Sequence, residues 1–225
     1  MNLKDIFPKV CTICHLQAGR REIPVCSSCL SMLQTALTDK CRRCKRAPSE
    51  CVCTDNKDVR FGFFYSSYGL RELIFRAKRR LDNDTADLLI ELTAEVSGIN
   101  MRSFDGVAYV PRSIKNKRRF GQDQARRLAC SISRLYGIPV IDALKRIGGS
   151  EQKLLSRGER LKNIKNKYVI KENFNKDKEY KKILLVDDVS TTGATLKLCA
   201  ELLRKGGISR AVVPFVIAKT ESPKK

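Results

Sequence analysis

The fold of this chain is decided by one stretch of its sequence, Ile183-Leu184-Leu185-Val186-Asp187-Asp188-Val189-Ser190-Thr191-Thr192-Gly193-Ala194-Thr195. The stretch begins with four apolar residues in a row, which predicts a strand buried on both faces of a parallel sheet. Apolar residues then recur at helical spacing from Leu196 to Leu203, and Gly206-Gly207 ends the predicted helix.

Between that strand and that helix lie two carboxylates followed by small hydroxyl residues. Backbone N–H groups and hydroxyls at a helix start can surround a phosphate, and the helix dipole favours the anion. Asp187 and Asp188 can accept hydrogen bonds from sugar hydroxyls or lie near a metal ion held by pyrophosphate. This arrangement suits a ribose that carries a 5-phosphate. An ordinary strand–turn–helix with a polar turn is the alternative interpretation.

The stretch resembles the phosphoribosyl-pyrophosphate (PRPP) motif of type I phosphoribosyltransferases. The resemblance implies that Asp187 and Asp188 are the catalytic acids that hold the ribose, and that Mg2+ accompanies PRPP. It also implies a phosphate site made of Ser190, Thr191, Thr192, Gly193, Ala194 and Thr195. Receiver domains share the Leu-Leu-Val-Asp-Asp order, but they need about 100 residues after this strand, and only the segment 183–225 is present here.

The composition indicates one core domain with a small appendage. The chain has 225 residues, of which 42% are hydrophobic. Residues 55–60 are polar and are expected to be a linker, so we predict a cysteine-rich zinc ribbon over residues 1–54 and a larger α/β domain over residues 61–225. No signal peptide or transmembrane run is recognisable, so a cytoplasmic protein without a membrane span is expected.

The charge of the chain predicts an anionic partner. Lys and Arg number 45 against 24 Asp and Glu, a formal net charge of +21. A field of this size attracts polyanions, and nucleic acid is the leading candidate because phosphate contacts by Lys and Arg give affinity without sequence preference. A membrane surface is the weaker alternative, since no predicted helix pairs a basic face with a strongly apolar one.

Eight of the ten cysteines form four close pairs near the N-terminus: Cys11 and Cys14, Cys26 and Cys29, Cys41 and Cys44, and Cys51 and Cys53. Two C-x-x-C turns complete a tetrahedral zinc site, and a site with four thiolates is structural. Pairing in chain order predicts one zinc on the first four cysteines and a second on the last four, with a cross-braced arrangement as the alternative. The second site is less regular because one residue separates its last two cysteines, so one or two zinc ions are expected. Cys130 and Cys199 are expected to be buried residues of helices.

A basic loop follows a predicted strand over residues 106–110. Its cations are Arg112, Lys115, Lys117, Arg118 and Arg119. A loop after a strand of an α/β sheet lies where ligands bind, so these side chains are candidates for holding pyrophosphate or the phosphates of DNA. A mobile, solvated loop is the alternative.

The remaining pattern predicts strands over residues 61–68, 138–141, 168–170 and 211–217, and helices over 70–77 and 85–96. Phe63, Phe64, Tyr65 and Tyr68 are expected in the core, with base stacking by either tyrosine as the alternative. Pro214 cannot donate to a ladder, which predicts that the last strand lies at a sheet edge.

Several motifs in order resemble the ComF (competence protein F, GntX-type) family over nearly the whole chain. They are the cysteine pairs, Tyr65 and Tyr68 before a helix, Val110-Pro111, the basic stretch that runs into Gly121-Gln122-Asp123-Gln124-Ala125, a group comprising Gln152, Leu155, Arg157, Arg160 and Asn163, and the PRPP-type motif. One segment differs: Phe120-Gly121-Gln122-Asp123-Gln124 stands where the family usually has Arg-Gly-Phe-Asn-Gln. Which basic side chain faces the ligand is therefore open.

The resemblance implies a type I phosphoribosyltransferase-like parallel sheet flanked by helices, with a small N-terminal zinc ribbon. It also implies a cytoplasmic role in natural transformation, where single-stranded DNA is handled together with a ComFA-type helicase and the recombination mediator. Three hypotheses follow. The chain is a module that binds single-stranded DNA and PRPP or a related ribose phosphate, an active phosphoribosyltransferase with an amine or base acceptor, or an adaptor that docks the helicase.

Overall fold

The computed structural model describes residues 10–16, 24–41, 45–51, 59–79, 83–112, 123–147, 167–175 and 178–220. The chain divides into two compact units. The first comprises Met1–Cys53, Phe61–Ile99 and Ile217–Lys225, and the second comprises Thr54–Arg60 and Asn100–Val216. The cysteine-rich segment is thus grouped with the two helices that follow it. The domain boundaries expected at residues 1–54 and 61–225 stay predictions.

The first unit contains helix α1 (Ser27–Ala36), a 3-10 turn (Pro48–Glu50), most of strand β1 (Arg60–Phe64) and helices α2 (Leu70–Arg79) and α3 (Asn83–Ser97). Helix α2 packs against α3. Phe63 is fully buried, and Phe61 meets Phe64 edge to face with ring centroids 5.5 Å apart. Tyr68 is 43% exposed, so its expected place in the core is wrong. The strand ends at Phe64, and Tyr68 lies in the turn before α2.

The second unit contains, in chain order, a 3-10 turn (Met101–Ser103), β2 (Gly106–Tyr109), α4 (Gln124–Tyr136), β3 (Val140–Ile141), β4 (Leu144–Arg146), β5 (Tyr168–Ile170), β6 (Tyr180–Ser190), α5 (Ala194–Lys205) and most of β7 (Ser209–Lys219). Its strands follow the order β7-β6-β2-β3. Strand β2 runs parallel to β3 and to β6, with Gly106 opposite Ile183 and Tyr109 opposite Val186. Helix α4 packs on β2 and β6, and α5 packs on β5 and β6. The predicted α/β class, a parallel sheet flanked by helices, is confirmed.

The strand–turn–helix that the opening stretch predicts is present as β6 and α5. All four residues from Ile183 to Val186 are fully buried, as expected for a strand covered on both faces. Helix α5 ends at Lys205, and Gly207 adopts the left-handed conformation (φ +72°) that closes helices. Within the described ranges no helix is long and apolar enough to cross a membrane.

One feature of the sheet differs from the sequence-based expectation. Strand β7 is not an edge strand, because β6 lies on one side of it and the Tyr65 N–H, just after β1, donates to the Lys219 carbonyl at 2.8 Å. Pro214 removes one donor from an eleven-residue strand, which leaves the others to pair. The strand predicted over residues 168–170 is present as β5, which pairs antiparallel with β4 in a separate two-stranded sheet.

A small polar cluster ties together the ends of β2 and β3. The Tyr109 hydroxyl donates to Asp142 Oδ1 at 2.6 Å, and Lys171 Nζ lies 2.6 Å from the same oxygen. Burial would raise the pKa of the Asp142 carboxyl, but the hydrogen bonds from Lys171 and Tyr109 and the Lys171 charge hold it below its ordinary value. The charged form of Asp142 therefore stabilises the folded protein.

We expect Asp142→Asn to lower the free energy of unfolding at pH 7 by about 1 kcal/mol, because the charge-assisted bonds are lost at a half-exposed site. A carboxyl with a lowered pKa stabilises above its unfolded pKa and loses this effect as the pH falls through the folded pKa. The difference between wild type and variant should therefore begin to shrink as the pH falls below about 4, and it should vanish only below the lowered pKa of the folded protein. Urea unfolding at several pH values measures it, and a difference that stays constant with pH would contradict the assignment.

Candidate functional site

The predicted acid pair lies at the carboxyl end of β6. Strand β6 ends at Ser190, two residues after Asp188. Because β2 pairs in parallel with β6, the residues that follow β2 reach the same edge of the sheet. Arg112 Nη2 there donates to Asp188 Oδ2 at 2.9 Å. The structure thus brings together Asp188 and the first cation of the basic loop, which the sequence had assigned to pyrophosphate or DNA.

Backbone N–H groups fix both carboxylates. The Asp188 N–H donates to Asp187 Oδ1 at 2.8 Å, and the Val189 N–H donates to Asp188 Oδ1 at 2.7 Å. Burial, and next the negative charge of Asp188, raise the pKa of Asp187 well above its usual range. Arg112 neutralises Asp188, whose side chain is 12% exposed. Both effects reduce the negative charge that an anionic ligand would meet at this edge.

The hydroxyl-rich turn lies between the acids and helix α5. Ser190 is buried as the last residue of β6, while Thr191, Thr192, Ala194 and Thr195 are exposed. Gly193 precedes α5 with φ +79°, a left-handed conformation that favours glycine. The Thr192 hydroxyl accepts a hydrogen bond from the Ala194 N–H at 3.3 Å. A helix start whose threonines are exposed is a suitable phosphate cradle.

Asp123 anchors the start of the basic loop. Its Oδ2 accepts a hydrogen bond from the Arg112 N–H at 3.1 Å, and it directly precedes α4. The sequence does not predict this role of Asp123, because an acidic residue just before a helix ordinarily indicates a helix N-cap. The other predicted cations, Lys115, Lys117, Arg118 and Arg119, lie outside the described residues, as does the motif from Gln152 to Asn163.

The first four cysteines come together as predicted. The sulfurs of Cys11, Cys14, Cys26 and Cys29 all lie within 4.8 Å of one another. Cys14 Sγ and Cys26 Sγ are 3.8 Å apart. In a tetrahedron with Zn–S bonds of about 2.3 Å the sulfurs are separated by about 3.8 Å, so the donor set fits zinc. The chemistry of four thiolates points to a structural ion with no open position.

The electrostatics of this cluster also call for a cation. Burial, and next the neighbouring sulfurs, raise the pKa of Cys29 to about 12. Burial would also raise the pKa of Cys11, but backbone N–H groups, first those of Cys14 and Cys26, lower it to about 6. Four adjacent thiolates repel one another, and a divalent cation removes that repulsion when it binds.

Tyr68 is an additional partner of this cluster. Its hydroxyl is hydrogen-bonded to Cys29, which is the largest contribution raising the pKa of Tyr68. Groups that hydrogen-bond to metal ligands orient them. The spacing of the cysteines does not predict that a tyrosine forms a hydrogen bond with the cluster.

The backbone around Cys41 repeats the turn around Cys11. The Cys11 N–H donates to the Leu16 carbonyl and the His15 N–H to the Cys11 carbonyl, while the Cys41 N–H donates to the Arg46 carbonyl and the Lys45 N–H to the Cys41 carbonyl. His15 and Lys45 also share a left-handed conformation, with φ of 60° and 58°. This shared turn supports the predicted second zinc site. Cys44 and Cys53 lie outside the described residues.

The other two members of that predicted site, Cys41 and Cys51, are both buried. Lys219 Nζ lies 3.5 Å from Cys51 Sγ and 5.5 Å from the centroid of the Phe61 ring, although Lys219 is only 3% exposed. A buried ammonium requires an electron-rich partner, which the sulfur and the ring supply. Of the two cysteines outside the pairs, Cys199 is buried as expected, while Cys130 on α4 is exposed.

Comparison with known proteins supports the family resemblance. The chain is 29% identical over 210 residues to Competence protein F of Haemophilus influenzae, a match that spans 91% of this chain and 88% of that protein. This confirms the predicted resemblance to the ComF family. No family model matches the chain. Among solved structures, the orotate phosphoribosyltransferase of Aeropyrum pernix aligns with a TM-score of 0.36 and 16% identity over 67% of this chain and 76% of that chain.

For the cysteine cluster we expect the purified full-length protein to contain zinc, and Cys14→Ser to remove one equivalent because a tetrahedral site loses one ligand. Elemental analysis by mass spectrometry measures the metal content of wild type and variant. Cys130→Ser is the matched control, since this exposed cysteine lies on α4, and its zinc content should equal that of wild type. Fully folded wild-type protein without any metal would contradict the site.

Proposed function

We propose that this protein acts in natural transformation in the cytoplasm, where it binds single-stranded DNA and PRPP or a related ribose phosphate. The single observation that supports ribose-phosphate binding is the order of carboxylate and hydroxyl groups at one edge of the sheet. Asp187 and Asp188 end β6, and the exposed hydroxyl turn opens α5 directly after them. The similarity to Competence protein F supports the role in transformation.

In this proposal the acids bind the ribose and the turn binds the 5-phosphate. In the ligand complex, Asp187 and Asp188 accept hydrogen bonds from the two ribose hydroxyls. Hydroxyls and N–H groups from Thr191 to Thr195 surround the phosphate, which also gains from the positive end of the α5 dipole. Mg2+ that accompanies PRPP would neutralise part of the pyrophosphate charge, and carboxylate oxygens are ligands that it accepts.

In this scheme Arg112 can bind either of two anionic partners. Without ligand it pairs with Asp188 at 2.9 Å. When hydroxyls occupy the carboxylate, the guanidinium can turn to the pyrophosphate, to which it donates two parallel hydrogen bonds. Exchange of one anionic partner for another keeps the guanidinium charge compensated throughout.

We expect Asp187→Ala combined with Asp188→Ala to weaken PRPP binding by at least about 100-fold, because the hydrogen bonds from the ribose hydroxyls to the two side chains are lost. Isothermal titration calorimetry with PRPP and Mg2+ measures the affinity. Glu179→Ala is the matched control: Glu179 is an exposed acid before the opposite end of β6, and its loss should leave the affinity unchanged.

A double variant that keeps its thermal stability and binds PRPP like wild type would contradict the site.

The same samples, supplied with single-stranded DNA, distinguish PRPP binding from phosphoribosyl transfer. Release of pyrophosphate would identify a phosphoribosyltransferase, and binding without release would identify a PRPP-binding module. If the chain is instead an adaptor for a ComFA-type helicase, PRPP binding need not affect the docking of the two proteins.

DNA binding rests on the charge of the chain and on the similarity to a competence protein. The net charge of +21 supplies the attraction for phosphates. DNA has no 2′-hydroxyl, so the acid pair would be only partly used by DNA. Ribose phosphate and DNA are therefore expected to occupy different groups of this protein.

We expect affinity for an oligo(dT) strand to fall about 20-fold between about 50 and 200 mM salt, which corresponds to three phosphate contacts. Fluorescence anisotropy with labelled oligonucleotides of different sequence measures both the salt dependence and the sequence preference, which should be small. Affinity that does not change with salt would contradict a phosphate-driven interaction.

A further inference from the structure

Strand β4 carries an arginine, Arg146, for which neither the zinc cluster nor the proposed ribose-phosphate site has yet a use. Leu144 and Arg146 are two positions apart, so their side chains leave the same face of the strand, and Leu144 is buried. Lys145 leaves the other face and is exposed. Arg146 is half-buried, which removes part of the water that would solvate its charge. Such a cation requires compensation from the groups that face it.

The guanidinium of Arg146 lies over an aromatic ring. Arg146 and Tyr168 are opposite each other in the β4–β5 ladder, and Arg146 Cζ is 5.6 Å from the centroid of the Tyr168 ring. Among the described residues no carboxylate forms an ion pair with Arg146. A cation–π contact orients the guanidinium without using its N–H groups, which remain able to donate to an anion.

The β4–β5 hairpin lies along helix α5, and the end that carries Arg146 is the end nearer the start of the helix. Ile170 Cδ1 lies against Gly206, the residue that follows α5. Burial raises the pKa of Tyr168 to about 12, with Arg146 opposing and Cys199 adding to the rise, so Tyr168 lies near Cys199 in the middle of α5. The direction from Ile170 to Tyr168 is therefore the direction toward the hydroxyl turn at the helix start.

Arg146 also lies near Asp187, whereas Arg112 pairs with Asp188. Asp187 and Asp188 are successive residues of β6, so their side chains leave opposite faces of the strand. Burial raises the pKa of Cys199 to about 12; the charge of Asp187 adds to this rise and the charge of Arg146 opposes it. Asp187 and Arg146 are therefore close enough for both charges to act on the same buried thiol.

We propose that Arg146, oriented by the ring of Tyr168, is a second phosphate-binding arginine of the candidate ribose-phosphate site. The inference rests on the ribose-phosphate binding proposed above and adds a residue to it. The guanidinium donates to phosphate oxygens of the bound ligand near the start of α5, while Arg112 serves the side of Asp188. Its planar fork of N–H groups matches a phosphate group with two parallel hydrogen bonds.

A phosphate ligand accounts for the half-buried charge more fully than packing does. Removing a guanidinium from water without a counter-charge costs free energy, and one aromatic ring compensates only part of that cost. The neighbouring acids do not supply the counter-charge, because Asp188 pairs with Arg112 and the raised pKa of Asp187 favours its neutral form. A phosphate would bring the negative charge that Arg146 lacks among the described residues.

The experiment measures the affinity of full-length Arg146→Gln protein for PRPP with Mg2+ by isothermal titration calorimetry. The affinity should fall about 10- to 100-fold, because charge-assisted hydrogen bonds to a phosphate are lost. Arg146→Lys keeps the charge but not the planar fork, so its affinity should lie between those of Arg146→Gln and wild type.

Two simpler ligands identify the phosphate that Arg146 holds. Ribose 5-phosphate carries only the 5-phosphate, and inorganic pyrophosphate stands for the diphosphate of PRPP. Weaker binding of ribose 5-phosphate to Arg146→Gln would support the inference and assign the contact to the 5-phosphate. Weaker binding of pyrophosphate would support it and assign the contact to the diphosphate.

Lys145→Gln is the matched control. It removes a positive charge from the neighbouring position of β4, but Lys145 is exposed on the other face of the strand. The PRPP affinity of this variant should equal that of wild type. An equal loss of affinity in Lys145→Gln and Arg146→Gln would show that the hairpin acts through its overall charge, which would overturn a specific contact.

The outcomes distinguish this inference from the function on which it rests. If wild type binds PRPP and the folded Arg146 variants bind it equally well, Arg146 holds no phosphate, while the proposed ribose-phosphate binding stands. The melting temperature without ligand shows whether each variant is folded, and if Arg146→Gln is not, the affinity of Arg146→Lys decides. Loss of folding in both variants would assign Arg146 to a structural role instead. If wild type binds neither PRPP nor ribose 5-phosphate, both proposals are wrong.

Discussion

Parallel pairing of β2 with β6 is the constraint on which the candidate ribose-phosphate site depends. Arg112 and Asp188 are 76 residues apart in the chain, and they meet because both follow strands that end at one edge of the sheet. The buried run Ile183–Val186 holds the register, since a slip by one residue would turn every side chain of β6 to the other face. Hydrophobic burial in the strand thereby fixes the positions of charges beyond its end.

Structural features formed by residues close together in the sequence could be predicted from it, whereas features formed by contacts between distant segments could not. The buried strand, the acid pair, the glycine-ended helix and the first zinc cluster follow from spacing alone, because each is formed by neighbouring residues. The pairing of Arg112 with Asp188, the contact of Tyr68 with Cys29 and the β4–β5 pairing require distant segments to meet. Pro214 was misjudged for a related reason: a single missing donor weakens a strand locally, but the whole strand decides its place.

The two anion-attracting features of the protein differ in kind. The β6–α5 turn offers a small number of fixed donors beside acids whose negative charge is reduced by Arg112 and by the raised pKa of Asp187. In the proposed function such an arrangement suits one compact ligand that has both a phosphate and hydroxyls. The overall charge of +21 acts over a distance of about 10 Å in salt solution and selects only for polyanions. The proposed binding of a small ribose phosphate and of a long polyanion would therefore depend on different groups of the chain.

The contact between Lys219 and Cys51 has a consequence for the order in which the protein is made. The two residues are 168 positions apart, and both belong to the unit that contains the cysteine cluster. A ribosome adds about 5 to 20 residues per second, so roughly 10 to 30 s separate the synthesis of the sulfur from that of its ammonium partner. During this interval the N-terminal cysteines are outside the ribosome without the final strand. Cys51 gains this ammonium partner only when strand β7 has been made.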